Sequence, residues 1–385
     1  MSRDFTALRR QFPLLAETVY LNSDSYGALA GSVRAAFNRY LDDRIAVGAN
    51  WDMWVTKNEA VRRAMATVLR ADADEVAVTT STSAGINAIA SAIDFDGGRD
   101  TVITTDFEFP TNAQIWHAQA PRGARVIHVH ADADGYIPAE RFAAVIDDRT
   151  RLVAATHVCF RNGARLDAAA IARMAHARGA QMLLDCYQSV GSMTIDVRAL
   201  DVDFAVGGMY KYLLGTAGIG FLYVRGSLVA DLVPTHSGWF AQADIGAMAI
   251  SANTPAPNAR RFEAGTPPVV NCYATEAALA IIADIGTDAI EARVRDLSGR
   301  CMDRLVDIGW PAVTPRDDAR RGAMVAIPSR DSAGLDAALA ARGIVTSHRD
   351  ANLRVAFHFY NDESDIDALI AALIDLKAAF APRAG

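Results

Sequence analysis

The 385-residue sequence predicts an α/β fold in which a large domain with a mostly parallel sheet is followed by a smaller α+β domain. Two observations carry that expectation. Between about residues 75 and 224, short apolar runs alternate with helix-period segments, the pattern of strands covered by helices on both faces. After about residue 275 longer amphipathic stretches take over. Hydrophobic residues make up 51% and charged residues 22%, so the chain can bury a large core. At about 150 residues per domain, this length suggests two or three domains.

In order, "EVAVTT" reads as a strand and "AGINAIASAI" as the helix after it. "TVITTD", "ARVIHVH" and "RLVAATHVCF" read as strands, and "LDAAAIARMAHARG" as a helix. "QMLLD" is a fully apolar strand closed by Asp185. "DFAVGG" and "GIGFLYV" are strands that bracket a loop containing Lys211. Farther on, "ATEAALAIIADIG" and "IEARVRDLSGRCMDRLVDIG" read as helices, and "GAMVAIP" and "NLRVAFHF" as strands. "ESDIDALIAALIDLKAAF" closes the chain as an amphipathic helix.

The net charge of -7 argues against a broad nucleic-acid or anionic-membrane footprint. No run reaches the ~18 apolar residues expected of a membrane span. The N-terminus "MSRDFTALRRQF" is charged and lacks the apolar core of a signal peptide. Cys159, Cys186, Cys272 and Cys301 are scattered and form no CxxC pair, so a reduced, cytoplasmic setting is expected.

The candidate chemistry gathers at the expected carboxyl ends of the strands, where parallel sheets place their ligands. Asp185 ends "QMLLD", with Gln188 three residues on. A lone Asp there could equally cap a turn. Lys211 follows the next strand, between Tyr210 and Tyr212. A buried carboxylate and a nearby amine are what pyridoxal 5'-phosphate requires. The lysine forms a Schiff base with its aldehyde, and the aspartate keeps the pyridine nitrogen protonated so that the ring accepts electrons. "VTTSTSAGINAIA" passes from strand to helix through hydroxyl residues; Thr82, Ser83 and the helix N-terminus make an anion site there. Phe109, in "DFEFPTN", is a flat partner for a ring.

These segments resemble the class V branch of fold-type-I pyridoxal-phosphate enzymes, from about residue 19 to 375. The signature "DCYQSVG…DFAVGGMYKYLLGTAGIGFLYV" is similar to that branch's D-x-x-Q followed by the Schiff-base lysine. The resemblance implies a seven-stranded, mostly parallel sheet in a large cofactor domain, residues 20–275. A small C-terminal domain follows, residues 276–385, with residues 1–19 packing nearby. It makes Lys211 the cofactor lysine and Asp185 the partner of the ring nitrogen. Gln188 would bond the ring oxygen, Phe109 would stack on the ring, and Thr82, Ser83 and Tyr210 would hold the phosphate. In "RFEAGTPP" it implies that Thr266 reaches the phosphate of a neighbouring subunit, in a homodimer with shared sites.

Within the branch, "YLNSDSYGALA", "HVCFRNGARLD" and "YKYL" are similar to kynureninase segments, and "SGWF" places Trp239 near the phosphate. Cys159 departs from the asparagine typical there, Asn162 replaces a threonine, and Gly208 stands where many relatives carry serine or cysteine. "NLRVAFHFYND" is similar to the branch's carboxylate-binding segment, making Arg354 the substrate arginine, a role suited to guanidinium's bidentate geometry. Ser25 and Tyr26 would line the substrate side. The loop "GIVTSHRDANLR" lacks the mobile cysteine of desulfurases.

The resemblance thus implies an enzyme acting on an amino acid, with kynureninase-like side-chain cleavage leading and transamination or C–S lysis as alternatives. Readings from other classes are a nicotinamide-dependent oxidoreductase and a catalytically silent binding scaffold. "GTAGIG" precedes a strand instead of following one, so the dinucleotide fingerprint is missing. His128 and His130 alternate on a strand without a third ligand, so no metal is expected. His157 reads as structural or close to the cofactor, and His348 as a candidate substrate contact beside Arg349.

Overall fold

The computed structural model describes residues 4–382. Its strands are β1 (Val19–Tyr20), β2 (Val76–Thr79), β3 (Thr101–Thr105), β4 (Arg125–Val129), β5 (Thr150–Thr156), β6 (Gln181–Asp185), β7 (Phe204–Gly208), β8 (Gly220–Val224), β9 (Met324–Pro328), β10 (Ile344–Val345), β11 (Ser347–Arg349) and β12 (Asn352–Ala356). β2 to β8 form a seven-stranded sheet in the order β2-β8-β7-β6-β5-β3-β4. β8 is antiparallel to both of its neighbours and every other pairing is parallel. β2, β3, β7 and β8 are buried along their whole length, which is why they read as unbroken apolar runs rather than alternating ones.

Two expected strands are shorter than their apolar runs. β12 stops at Ala356 rather than continuing to Phe359. β5 stops at Thr156 rather than continuing to Phe160. The next N–H, that of His157, turns to the Asp185 carbonyl at 2.9 Å. The chain then folds back on itself, with Val158 bridging Arg165 and the Cys159 N–H donating to the Ala164 carbonyl at 2.8 Å. Backbone bonds satisfied by this reversal are lost to the sheet.

β11, β12 and β9 form an antiparallel three-stranded sheet. It shares a core with helices Thr287–Asp307, Ser332–Ala340 and Glu363–Phe380, built around Leu297, Trp310, Val355, Phe357 and Leu369. Helix Val269–Ile285 packs instead on helices Gly31–Val47 and Trp51–Leu69. The N-terminal segment is stitched to the C-terminal part. β1 pairs with β10, Leu21 joins that smaller core, and Arg9 grips the Asp365 carboxylate at 2.7 and 2.9 Å. Residues 1–3 and 383–385, named above in the small-domain expectation, lie outside the described residues.

Candidate active site

The Lys211 loop is held from three sides. β7 ends at Gly208, the Gly215 N–H returns to the Met209 carbonyl at 2.7 Å, and the chain leaves as β8. Leu214 takes a left-handed φ of +61° at the turn, a conformation costly for a branched side chain and held here by its N–H bond to the Lys211 carbonyl at 3.1 Å. From the N-terminal segment, the Gly27 N–H donates to the Tyr210 carbonyl at 2.7 Å. A Cβ at Gly27 would stand 2.4 Å from the Lys211 carbonyl oxygen, so only glycine allows this approach.

Lys211 is 9% exposed. Burial lowers its amine to about 8; Asp24 and Asp185 pull the other way, and Arg354 adds to the lowering. Its Nζ sits 4.5 Å from the centre of the Tyr187 ring. Asp185, at the carboxyl end of β6, accepts the Tyr187 N–H at 2.9 Å, and burial pushes its carboxyl up to about 6. Both residues line one cavity of about 350 Å³.

Thr82, Ser83, Phe109, Gln188, Tyr210, Ser25 and Arg354 line the same cavity. Thr82 opens helix Thr82–Ala92, capped by the Ser81 hydroxyl, which accepts from the Ala84 N–H at 3.1 Å. The Thr82 hydroxyl is buried with no partner. Gln188 donates to the Asp24 carbonyl at 3.0 Å, while its own amide oxygen is buried and unpartnered. Phe109 leaves 47% of its surface exposed and meets Phe160 edge-on at 5.3 Å. Arg354 donates to the Phe160 carbonyl at 2.8 Å and the Ser25 hydroxyl at 3.2 Å; its buried Nε–H has no partner.

Tyr26, Trp239 and Thr266 do not line this chain's cavity, and Thr266 is expected at that of a neighbouring subunit. Tyr26 stands behind the cavity wall, its ring stacked on Tyr210 at 4.8 Å and its hydroxyl accepting the Ala217 N–H at 3.2 Å. Trp239 packs edge-on against Trp51 at 5.6 Å and Phe240 at 4.5 Å. Thr266 is exposed and lines a separate hollow beside Thr80. The histidines part ways too. His128 faces His117 at 3.0 Å, His130 faces Asp106 and His348 faces Asp336. No group of three metal-ligating side chains occurs among the described residues. His157 is buried behind the sheet end, hydrogen-bonded to Ser189 at 3.0 Å, with burial holding its imidazole neutral.

Sequence reasoning missed Asp24, Tyr187, Phe160 and Arg349, which also line the cavity. Asp24 is fully buried, 3.0 Å from Arg354, and its carboxyl is raised by burial against the pull of Arg354 and Lys211. Glu108, just behind Phe109, is pushed up to about 7 by burial and is held by Thr105 and Thr156 at 2.6 Å each.

The residues present fit pyridoxal 5'-phosphate. The unpartnered Thr82 hydroxyl at a helix N-terminus suits the phosphate. The half-exposed Phe109 face suits an aromatic ring. Asp185 suits a protonated ring nitrogen, and the depressed amine of Lys211 suits a carbonyl.

The chain as a whole resembles known proteins. The family profile described as aminotransferase class-V matches residues 51–369. An uncharacterized aminotransferase of Bacillus subtilis is 33% identical over 93% of this chain and 94% of its own. A kynureninase of Deinococcus radiodurans is 32% identical over 95% of this chain and 91% of its own. In fold, the chain is similar to the apo cysteine desulfurase of Thermococcus onnurineus NA1, with TM-score 0.87 and 24% identity over 98% of each chain. With the profile spanning most of the chain and the lysine, carboxylate and anion cradle converging on one cavity, the chain belongs to the class-V aminotransferase family of pyridoxal 5'-phosphate enzymes.

Proposed function

We propose that this enzyme takes an α-amino acid and cleaves its side chain hydrolytically on the far side of Cβ, as a kynureninase does. The observation that carries the amino-acid reading is the convergence of Lys211, Asp185 and Arg354 on one cavity. When bound, the cofactor supplies an aldehyde that condenses with amines and a ring that withdraws electrons from the adjacent carbon. Arg354 offers its unpartnered Nε–H to the substrate carboxylate, a charge-assisted bond in a dry site. Lys211 Nζ, uncharged above about pH 8, takes the Cα proton and returns it. Asp185 holds a positive ring nitrogen. In the hydrolysis, the Cβ–Cγ bond of a β-acyl alanine breaks. Water gives its hydroxyl to the acyl carbon and a proton to Cβ, leaving a carboxylic acid and alanine.

The side-chain assignment is supported by the 32% identity to a kynureninase over nearly the whole chain. Phe160, edge-on to Phe109 in the cavity lining, also gives an aromatic acyl group a ring to pack on. A substrate panel tests it. Kynurenine should yield anthranilate and alanine; keto acid or sulfide as the main product would replace this reading with transamination or C–S lysis.

The same proposal includes a homodimer. Leu41, Ile45, Val47, Met248 and Ile250 are exposed, the kind of apolar surface a second copy covers, and Thr266 is exposed outside its own chain's cavity. The four cysteines are unpaired and buried, in keeping with a reducing, cytoplasmic setting.

A further inference from the structure

Gly208, the last residue of β7, has no room for a side chain. A Cβ there would lie 2.3 Å from both Cζ and the hydroxyl oxygen of Tyr187. No real Cβ sits that close to another heavy atom, so the phenol occupies the volume that any larger residue at 208 would fill. Tyr187 reaches this place from the turn after β6, which Asp185 ties down through the Tyr187 N–H. Its ring is edge-on to Tyr210, with centroids 5.4 Å apart.

Tyr187 lines the same cavity as the start of helix Thr82–Ala92. Gly208 pairs with Gly220 in β8, and Gly220 pairs in turn with Thr79 of β2. The position of a Cβ on Gly220 would be 3.0 Å from the Ser81 carbonyl carbon, so the start of helix Thr82–Ala92 stands over β8, one strand spacing (~5 Å) from Gly208. Thr82, 8% exposed, presents its unpartnered hydroxyl to the same cavity. On the other side, the Lys211 Nζ lies 4.5 Å from the centre of the Tyr187 ring, a cation–π contact of the cofactor-free protein.

We propose that the Tyr187 hydroxyl is a cofactor-phosphate ligand, supplied from the turn after β6 in place of a side chain at position 208. Glycine at 208 and tyrosine at 187 are then one device in two parts. A side chain at 208 collides with the phenol, so the phenol can stand there only because 208 is glycine. This inference rests on the cavity holding pyridoxal 5'-phosphate, and it adds a residue that the D-x-x-Q signature does not specify.

The test is a set of equilibrium titrations of the cofactor-free protein, followed by the visible band that appears on loading. Wild type is titrated with pyridoxal 5'-phosphate and with pyridoxal, which lacks the phosphate; failure of wild type to bind either would sink the cofactor site itself rather than the role of Tyr187. Tyr187→Phe keeps the ring and loses the hydroxyl. It should weaken pyridoxal 5'-phosphate roughly ten- to a hundredfold, the range for one hydrogen bond to a charged group, and leave pyridoxal within about twofold. Gly208→Ser alone should lose affinity by steric conflict, and Tyr187→Ala with Gly208→Ser should bind pyridoxal 5'-phosphate more tightly than Tyr187→Ala alone. Unchanged affinity in Tyr187→Phe, or equal losses for the two ligands, would overturn the proposal. So would a double variant no better than Tyr187→Ala.

Discussion

The Asp24 carboxylate and the Arg354 guanidinium meet at 3.0 Å inside the cavity, with 0% and 5% of their respective surfaces exposed. The arginine that would hold a substrate carboxylate is therefore already facing one. Two more anchors, the Phe160 carbonyl and the Ser25 hydroxyl, fix the guanidinium. Asp24 thus acts less as a tether than as a charge. It offsets two buried cations, Arg354 and Lys211, in a medium where an isolated charge is expensive.

Asp24→Asn separates those roles. Asp24 raises the Lys211 amine, so removing its charge should move that amine below about 8. The rate of lysine acylation in the cofactor-free protein, followed against pH and mapped to Lys211, reads the midpoint directly. A midpoint that stays put or rises would remove Asp24 from the electrostatics of the site. Breaking a buried pair also leaves Arg354 uncompensated, a cost of about 3–5 kcal/mol in folding stability.

Lys211 makes the stability of the cofactor-free protein depend on pH in a calculable direction. Its amine titrates near 8 when folded and near 10.5 ordinarily. Between those values the unfolded chain holds a proton that the folded chain does not, so stability rises as pH climbs from about 8 to about 10.5. The full gain is roughly 3 kcal/mol, from 1.36 kcal/mol per pKa unit. Lys211→Met should lack this increment, and urea melts of both proteins at pH 8 and pH 10 measure the difference. Parallel curves would mean that the amine is solvated.

Asp185 is raised instead, to about 6. Below that pH the folded carboxyl keeps its proton and cannot pair with a positive ring nitrogen. Cofactor affinity should therefore fall as pH drops through about 6, and Asp185→Asn should remove that dependence while weakening binding tenfold or more. The phosphate titrates in the same range, so the difference between wild type and variant is the informative quantity. An identical pH profile in the two proteins would show that Asp185 does not meet the nitrogen.

Much of this site was legible because its parts sit on elements with strong patterns. Asp185 and Lys211 follow β6 and β7, each an apolar run ended by a turn, and in a parallel sheet that alone sends both to one edge. Asp24 was not legible. It lies between two serines in "NSDSY", where an aspartate reads as a turn residue, and only the pairing of β1 with β10 draws that turn beneath the small sheet. Tyr187 was hidden for another reason: its meaning depends on Gly208, twenty-one residues away and on a different strand. Helix Gly31–Val47 escaped notice because it buries only Val33 and Ala36, too few for an apolar stripe. Tyr26 illustrates the converse, a residue adjacent to Ser25 in sequence yet one layer behind it in space.

Arg354 carries the last prediction. With Nη1 on the Phe160 carbonyl and beside Asp24, and one Nη2–H on Ser25, the Nε–H and the second Nη2–H are the donors left for substrate. A lysine has the charge but not the fork, so Arg354→Lys should raise KM by about ten- to a hundredfold, the loss of a charge-assisted bond made in ground and transition states alike. Its kcat should change far less. A substrate analogue without the α-carboxylate supplies the control, since wild type and variant should bind it equally. If the variant loses as much affinity for that analogue as for the amino acid, Arg354 is holding the cavity's shape and the carboxylate is bound elsewhere.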